Sequence, residues 1–74
     1  MRGRVTKWMG TRGYGFLRAD NGPPVDIFVH ASVIVSDEPY KTLVVGEPVD
    51  FEMKRTERGL VAEFVIRLNE TETP

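Results

Sequence analysis

Few side chains in this sequence can do chemistry, and their spacing limits what that chemistry can be. The one histidine, His30, lies four residues after Asp26 and two before Ser32. On an extended strand Asp26 and His30 share a face, but four residues span about 13 Å, too far for a direct acid–base dyad. Ser32 brings no second base and no orienting partner, so no nucleophile–base pair is suggested. There is no cysteine, and a single histidine does not make a zinc site. Gly13-Tyr14-Gly15 is not followed by a helical pattern, so it is not a phosphate-binding glycine loop. The expectation is no catalytic residue, no metal site, no small-molecule cofactor and no enzymatic activity.

The aromatic side chains are more informative. Alternation along a strand sends neighbouring side chains to opposite faces. Tyr14 and Phe16 then share one face, and Gly15 and Leu17 take the other. Ile27 and Val29 share a face, and Asp26, Phe28 and His30 take the opposite one. Leu17, Ile27 and Val29 are natural core, which leaves Phe28 on the side that should be wet. If the two segments pair as a hairpin, Tyr14, Phe16, Phe28 and His30 converge into one patch. Exposed apolar patches mark binding sites. Every nucleobase offers a π-face, and stacking on an aromatic ring is worth about 1–3 kcal/mol per base. Single strands expose those faces and duplexes do not. Lys7, Arg12 and Arg18 flank the aromatic segments and suit phosphates. Gly13 and Gly15 carry no side chain, so a flat ligand is expected to approach the backbone there.

The elements that position these residues read as short strands between turns. Arg4–Met9 is a first strand, and Gly10-Thr11-Arg12-Gly13 a tight turn. Tyr14–Arg18 is a second strand, and Asp20-Asn21-Gly22-Pro23-Pro24 a loop. Val25–His30 is a third, β-branched and aromatic. Val49–Lys54 alternates apolar and charged residues, the pattern of a half-buried strand. Thr56-Glu57-Arg58-Gly59 turns the chain into a fifth strand, Leu60–Leu68. A single helical turn fits at Ala31–Ile34. Five short strands with Gly/Pro turns imply an all-β small barrel or sandwich, and closure into a barrel would protect the edges. The expected organisation is one domain over residues 1–68 and a frayed tail over 69–74.

The 74 residues carry a net charge of −1, which by itself argues against phosphate binding. The charge is uneven. Residues 1–18 hold five bases and no acid, whereas residues 19–74 hold five bases and all eleven acids. No apolar run approaches the roughly 20 residues that span a bilayer, and no signal peptide is visible. A soluble cytoplasmic protein with no membrane partner is expected, with a monomer favoured.

These residues resemble a known family. Lys7-Trp8 followed by Arg12-Gly13-Tyr14-Gly15-Phe16-Leu17 is similar to the first ribonucleoprotein motif of cold-shock domains, and Asp26-Ile27-Phe28-Val29-His30 resembles the second. Tyr40-Lys41-Thr42-Leu43 and Gly46-Glu47-Pro48-Val49-Asp50-Phe51 are similar to the segment leading into the fourth strand. Arg58-Gly59 with Ala62 and Val65 is similar to the ending. The resemblance implies a five-stranded antiparallel OB-fold-type β-barrel that binds single-stranded, often pyrimidine-rich RNA or DNA without catalysis. Position by position, it implies stacking by Trp8, Tyr14, Phe16, Phe28, His30 and Tyr40, and polar contacts from Lys7 and Asp26. Trp8, placed in the binding patch, is expected to be solvent-exposed.

The departures also matter. Met9 and Ala31 stand where the family usually has Phe. The 10–13 turn is one residue short. Pro23-Pro24 resembles a eukaryotic branch of the family more than the bacterial pattern. Leu60 follows Gly59 where Pro is common, and Phe64 replaces a usual Asn. The expected function is single-stranded nucleic-acid binding of cold-shock type, as an RNA chaperone or a regulator of transcription or translation. The alternative is a β-barrel module for protein interaction or self-association with weak nucleic-acid binding. Salt separates the two, because counterion release weakens binding of single strands as salt rises.

Overall fold

The structure is a computed structural model that describes residues 1–22, 24–36 and 41–68. Tyr40, Pro23 and the 69–74 tail fall outside the described residues.

The apolar residues that alternate in the sequence point into one interior. Strand β1 runs Arg2–Met9, β2 Tyr14–Ala19, β3 Ile27–His30, β4 Pro48–Thr56 and β5 Gly59–Arg67. A single 3₁₀ turn, Ala31–Val33, follows β3. The strands close into a barrel in the order β1-β2-β3-β5-β4. Every ladder is antiparallel except β3–β5, which is parallel and registers Phe28 with Val61.

Val5, Leu17, Ile27, Val29, Val49, Phe51, Ala62 and Val65 fill the barrel, and Ile34 and Leu43 close it. Leu17, Val29, Val49 and Val65 have no exposed surface at all. A side chain buried to that degree contributes about 1.5–3 kcal/mol relative to leaving it in water. Glu47 is buried among them and is matched: its carboxylate accepts from Arg67 Nε at 2.8 Å and from the Val44 amide. That pair anchors the segment leading into β4 against β5.

The observed strand limits differ from the sequence expectation where tertiary pairing decides. β1 begins at Arg2 because Arg2–Arg4 pair with Asp50–Pro48 of β4. β3 begins at Ile27 instead of Val25, since Val25 and Asp26 form no ladder. The alternation of β4 buries Val49 and Phe51, but Met53 is 41% exposed, past the end of the core.

Candidate nucleic-acid interface

The aromatic face rests on the β2–β3 hairpin. Its register pairs Tyr14 with His30, Gly15 with Val29, Phe16 with Phe28 and Leu17 with Ile27. Each pair puts both side chains on one face. Leu17, Ile27 and Val29 therefore go inward, and Tyr14, Phe16, Phe28 and His30 go outward, as alternation requires. The Tyr14 and Phe28 ring centroids lie 5.6 Å apart at an interplanar angle of 31°, and those of Phe16 and Phe28 lie 5.9 Å apart at 75°. Both spacings fall in the range of favourable aromatic pairs. Phe28 is the centre of a three-ring row whose members are half-buried.

A bulge in β1 decides what joins this row. Val5 pairs with Leu17, but Lys7 pairs with Phe16, so Thr6 is an extra residue and the phase of the strand flips there. The Thr6 hydroxyl donates to the Phe16 carbonyl at 3.2 Å. Beyond the bulge, Lys7 lies beside Phe16 and Met9 beside Tyr14, while Trp8 pairs with Gly15 on the inward side. Trp8 is half-buried against the edge of the core, and its indole N–H is buried with no acceptor among the described residues. This corrects the expectation that Trp8 is solvent-exposed.

Gly15 explains the close fit. A Cβ there would lie 2.1 Å from the Lys7 carbonyl oxygen and 2.8 Å from the Trp8 ring. The missing side chain makes room for β1, so at this position the expectation of backbone open to a ligand is also corrected. Gly13 serves the turn, with φ at +75° and its amide donating to the Met9 carbonyl at 2.9 Å.

Two polar groups are held by local partners. The Ser32 amide donates to His30 Nδ1 at 3.0 Å, and Ser32 Oγ lies 2.9 Å from the same nitrogen. A ring nitrogen that accepts carries no proton, so the neutral ring's N–H is at Nε2. His30 thus caps the 3₁₀ turn and still presents an exposed ring beside Tyr14. Asp26 accepts from Arg18 Nε at 3.0 Å, with both side chains about half exposed. Arg18 is therefore engaged with Asp26 and is not a free cation beside the rings. Lys7 and Arg12 are exposed and form no ion pair among the described residues.

Sequence reasoning missed the far side of the row. Phe16 and Phe28 also line a recess of about 350 Å³ completed by Thr56, Arg58, Leu60 and Val61. The parallel β3–β5 contact, which joins residues far apart in the chain, brings the β4–β5 turn to this point. A second apolar recess, lined by Ala19, Val25, Ile27, Met53 and Leu60, contains none of the aromatic row. Among the described residues no group of three acidic, histidine or cysteine side chains could hold a metal ion, and no helix is long and apolar enough to cross a membrane.

A family model described as "'Cold-shock' DNA-binding domain" matches residues 1–68. The chain belongs to the cold-shock domain family. The cold shock-like protein CspA of Shewanella violacea is 46% identical over 65 residues, covering 86% of this chain and 90% of that protein. Cold shock protein CspB of Bacillus caldolyticus is 39% identical over 67 residues, covering 90% and 97%. A cold shock-like protein of Thermotoga maritima is 42% identical over 65 residues, covering 88% and 94%. Within this cold-shock domain the three-ring row stands complete. Met9 flanks the row with a flexible thioether, and Ala31 contributes only a methyl group, half-buried near Gly13.

Proposed function

We propose that this cold-shock domain binds single-stranded RNA or DNA by stacking successive bases on Tyr14, Phe16 and Phe28. The carrying observation is the row itself: Phe28 pairs with both Tyr14 and Phe16 on the outward face of β2–β3, and none of the three belongs to the buried core. His30 extends the row at one end, and Trp8, half-buried over Gly15, and Tyr40 are assigned the stacking roles that the family resemblance implies. Lys7 and Arg12 supply phosphate contacts on one flank, and Arg58 on the other. Asp26, held by Arg18, offers its remaining carboxylate lone pairs to base N–H groups. Binding is physical, with no bond made or broken, and it serves as RNA chaperoning or as control of transcription or translation. The barrel is closed and leaves no long free strand edge among the described residues, which supports a monomer as the working form, and the cytoplasm is the compartment assigned to it.

Trp8 is the one tryptophan and lies between Lys7 and Met9, which pair with Phe16 and Tyr14 of the row. Its fluorescence is expected to change on titration with oligo(dT) or oligo(U), and a duplex competitor should not displace the ligand. Three phosphate contacts predict a slope of about −2 for log K against log salt. No fluorescence change together with no gel shift, up to high micromolar oligonucleotide, contradicts the proposal.

A further inference from the structure

A second outward face carries costs that folding does not explain. In β5, Phe64 has φ of +52°, the left-handed region that a bulky side chain rarely adopts. It sits at a bulge: Asp50 pairs with Ile66, but Glu52 pairs with Glu63, leaving an extra residue on β5. Phe64 is 61% exposed and Ile66 45%. Neither contributes to the core. An asparagine would tolerate the same backbone with less strain and would expose no ring.

The charges around these two residues repeat the pattern. Glu52 and Glu63 face each other directly across the β4–β5 ladder, a like-charge pair that destabilises a sheet. Glu63 has Lys54 at 3.7 Å, a long contact, and Glu52 has no ion-pair partner among the described residues. Asp50 is already matched: it accepts from the Met1 ammonium at 3.0 Å and faces Arg2 across the β1–β4 ladder. Phe64, Ile66, Asp50 and Glu52 line one shallow recess of about 150 Å³. A strained exposed ring, a second exposed apolar side chain and two opposed glutamates that share the single cation Lys54 thus lie on one surface. β2, which carries two of the three stacked rings, is bonded to neither strand of it.

We infer that the outward face of β4–β5 is a docking surface for a basic protein segment. An apolar side chain of that segment covers Phe64 and Ile66, and a Lys or Arg inserts between Glu52 and Glu63. Charge selects the partner. An acidic ligand, nucleic acid included, meets repulsion here, whereas a cation relieves the Glu52–Glu63 opposition and strengthens as the apolar contact excludes water. The inference does not depend on the stacking role of β2–β3.

The test uses the full chain and a fluorescein-labelled peptide, Lys-Val-Lys-Leu-Lys-Val-Lys, followed by anisotropy. The peptide should bind, and versions with Glu for Lys or Ser for Val and Leu should not. Phe64→Asn should fold normally and weaken the peptide about tenfold or more, as the loss of a covered aromatic ring implies. Ile66→Thr, which keeps a β-branched residue in the strand, should weaken it less. Glu52→Gln should weaken it and flatten its salt dependence. All three variants should bind oligo(dT) as the parent does, and Phe28→Ala should bind the peptide as the parent does. Absence of peptide binding up to about 1 mM, equal binding by Phe64→Asn, or reduced oligo(dT) affinity in Phe64→Asn each overturns the inference. Concentration-dependent dimerisation that Phe64→Asn abolishes, with no peptide binding, also overturns it and assigns the face to a second copy of the chain.

Discussion

The outward faces of β2–β3 and β4–β5 are built on the same barrel, yet they use apolar surface in opposite ways. On β2–β3 the ring of Phe28 pairs with those of Tyr14 and Phe16, all three lie in ordinary strand geometry, and Lys7 is alongside. On β4–β5 a lone Phe64 sits on a left-handed backbone beside two opposed glutamates. The first face is an extended platform with cations at its rim, suited to a flat, anionic ligand. The second is a small apolar spot beside two opposed glutamates, of which Glu52 has no ion-pair partner among the described residues. A net charge of −1 describes neither face.

Substitutions separate the two faces, and the largest effect belongs to the layer beneath both. Phe51 lies in the core at 2% exposure, and Phe51→Ala should cost about 3–5 kcal/mol in urea unfolding. Both binding activities should fall together with the folded fraction. Phe28→Ala should act on one face alone. It removes the central ring of the row, so oligo(dT) affinity should drop by about 1–3 kcal/mol, with a smaller change in stability because the ring is only half-buried. If Phe28→Ala unfolds the chain instead, the assignment of the outward face is wrong.

Phe64→Asn should give the reverse result. Relief of the left-handed strain should raise stability by about 1 kcal/mol in thermal or urea unfolding, with oligonucleotide binding unchanged. A loss of stability would show that Phe64 contributes packing after all. The smallest expected effect is that of Arg58→Ala, which should lower the salt slope by about 0.7 while leaving base preference alone. An unchanged slope would remove the β4–β5 turn from the interface.

How much of this was legible in the sequence follows from how far each feature reaches along the chain. The core positions Leu17, Ile27 and Val29 and the outward row of Tyr14, Phe16 and Phe28 follow from alternation and one hairpin, so they could be read directly. The same hairpin register could have paired Arg18 with Asp26, since the ladder that joins Leu17 to Ile27 brings the next two residues together. The bulge at Thr6 could not be read. It flips the phase of β1 by one residue, putting Lys7 beside Phe16 and turning Trp8 inward over Gly15. The recess that adds Arg58 and Leu60 to the row depends on the parallel β3–β5 contact, which no local pattern announces. Phe64 lies at a bulge as well, so alternation along β5 does not predict its exposure.

The most direct test of the stacking platform is a backbone amide NMR titration of the full chain with oligo(U). Shift changes should concentrate at Lys7, Tyr14, Phe16, Phe28 and His30 and extend to Arg58, while Asp50, Glu52, Phe64 and Ile66 stay in place. Changes centred on Phe64 and Ile66, or none at saturating oligo(U), would contradict the assignment of nucleic-acid binding to the β2–β3 face.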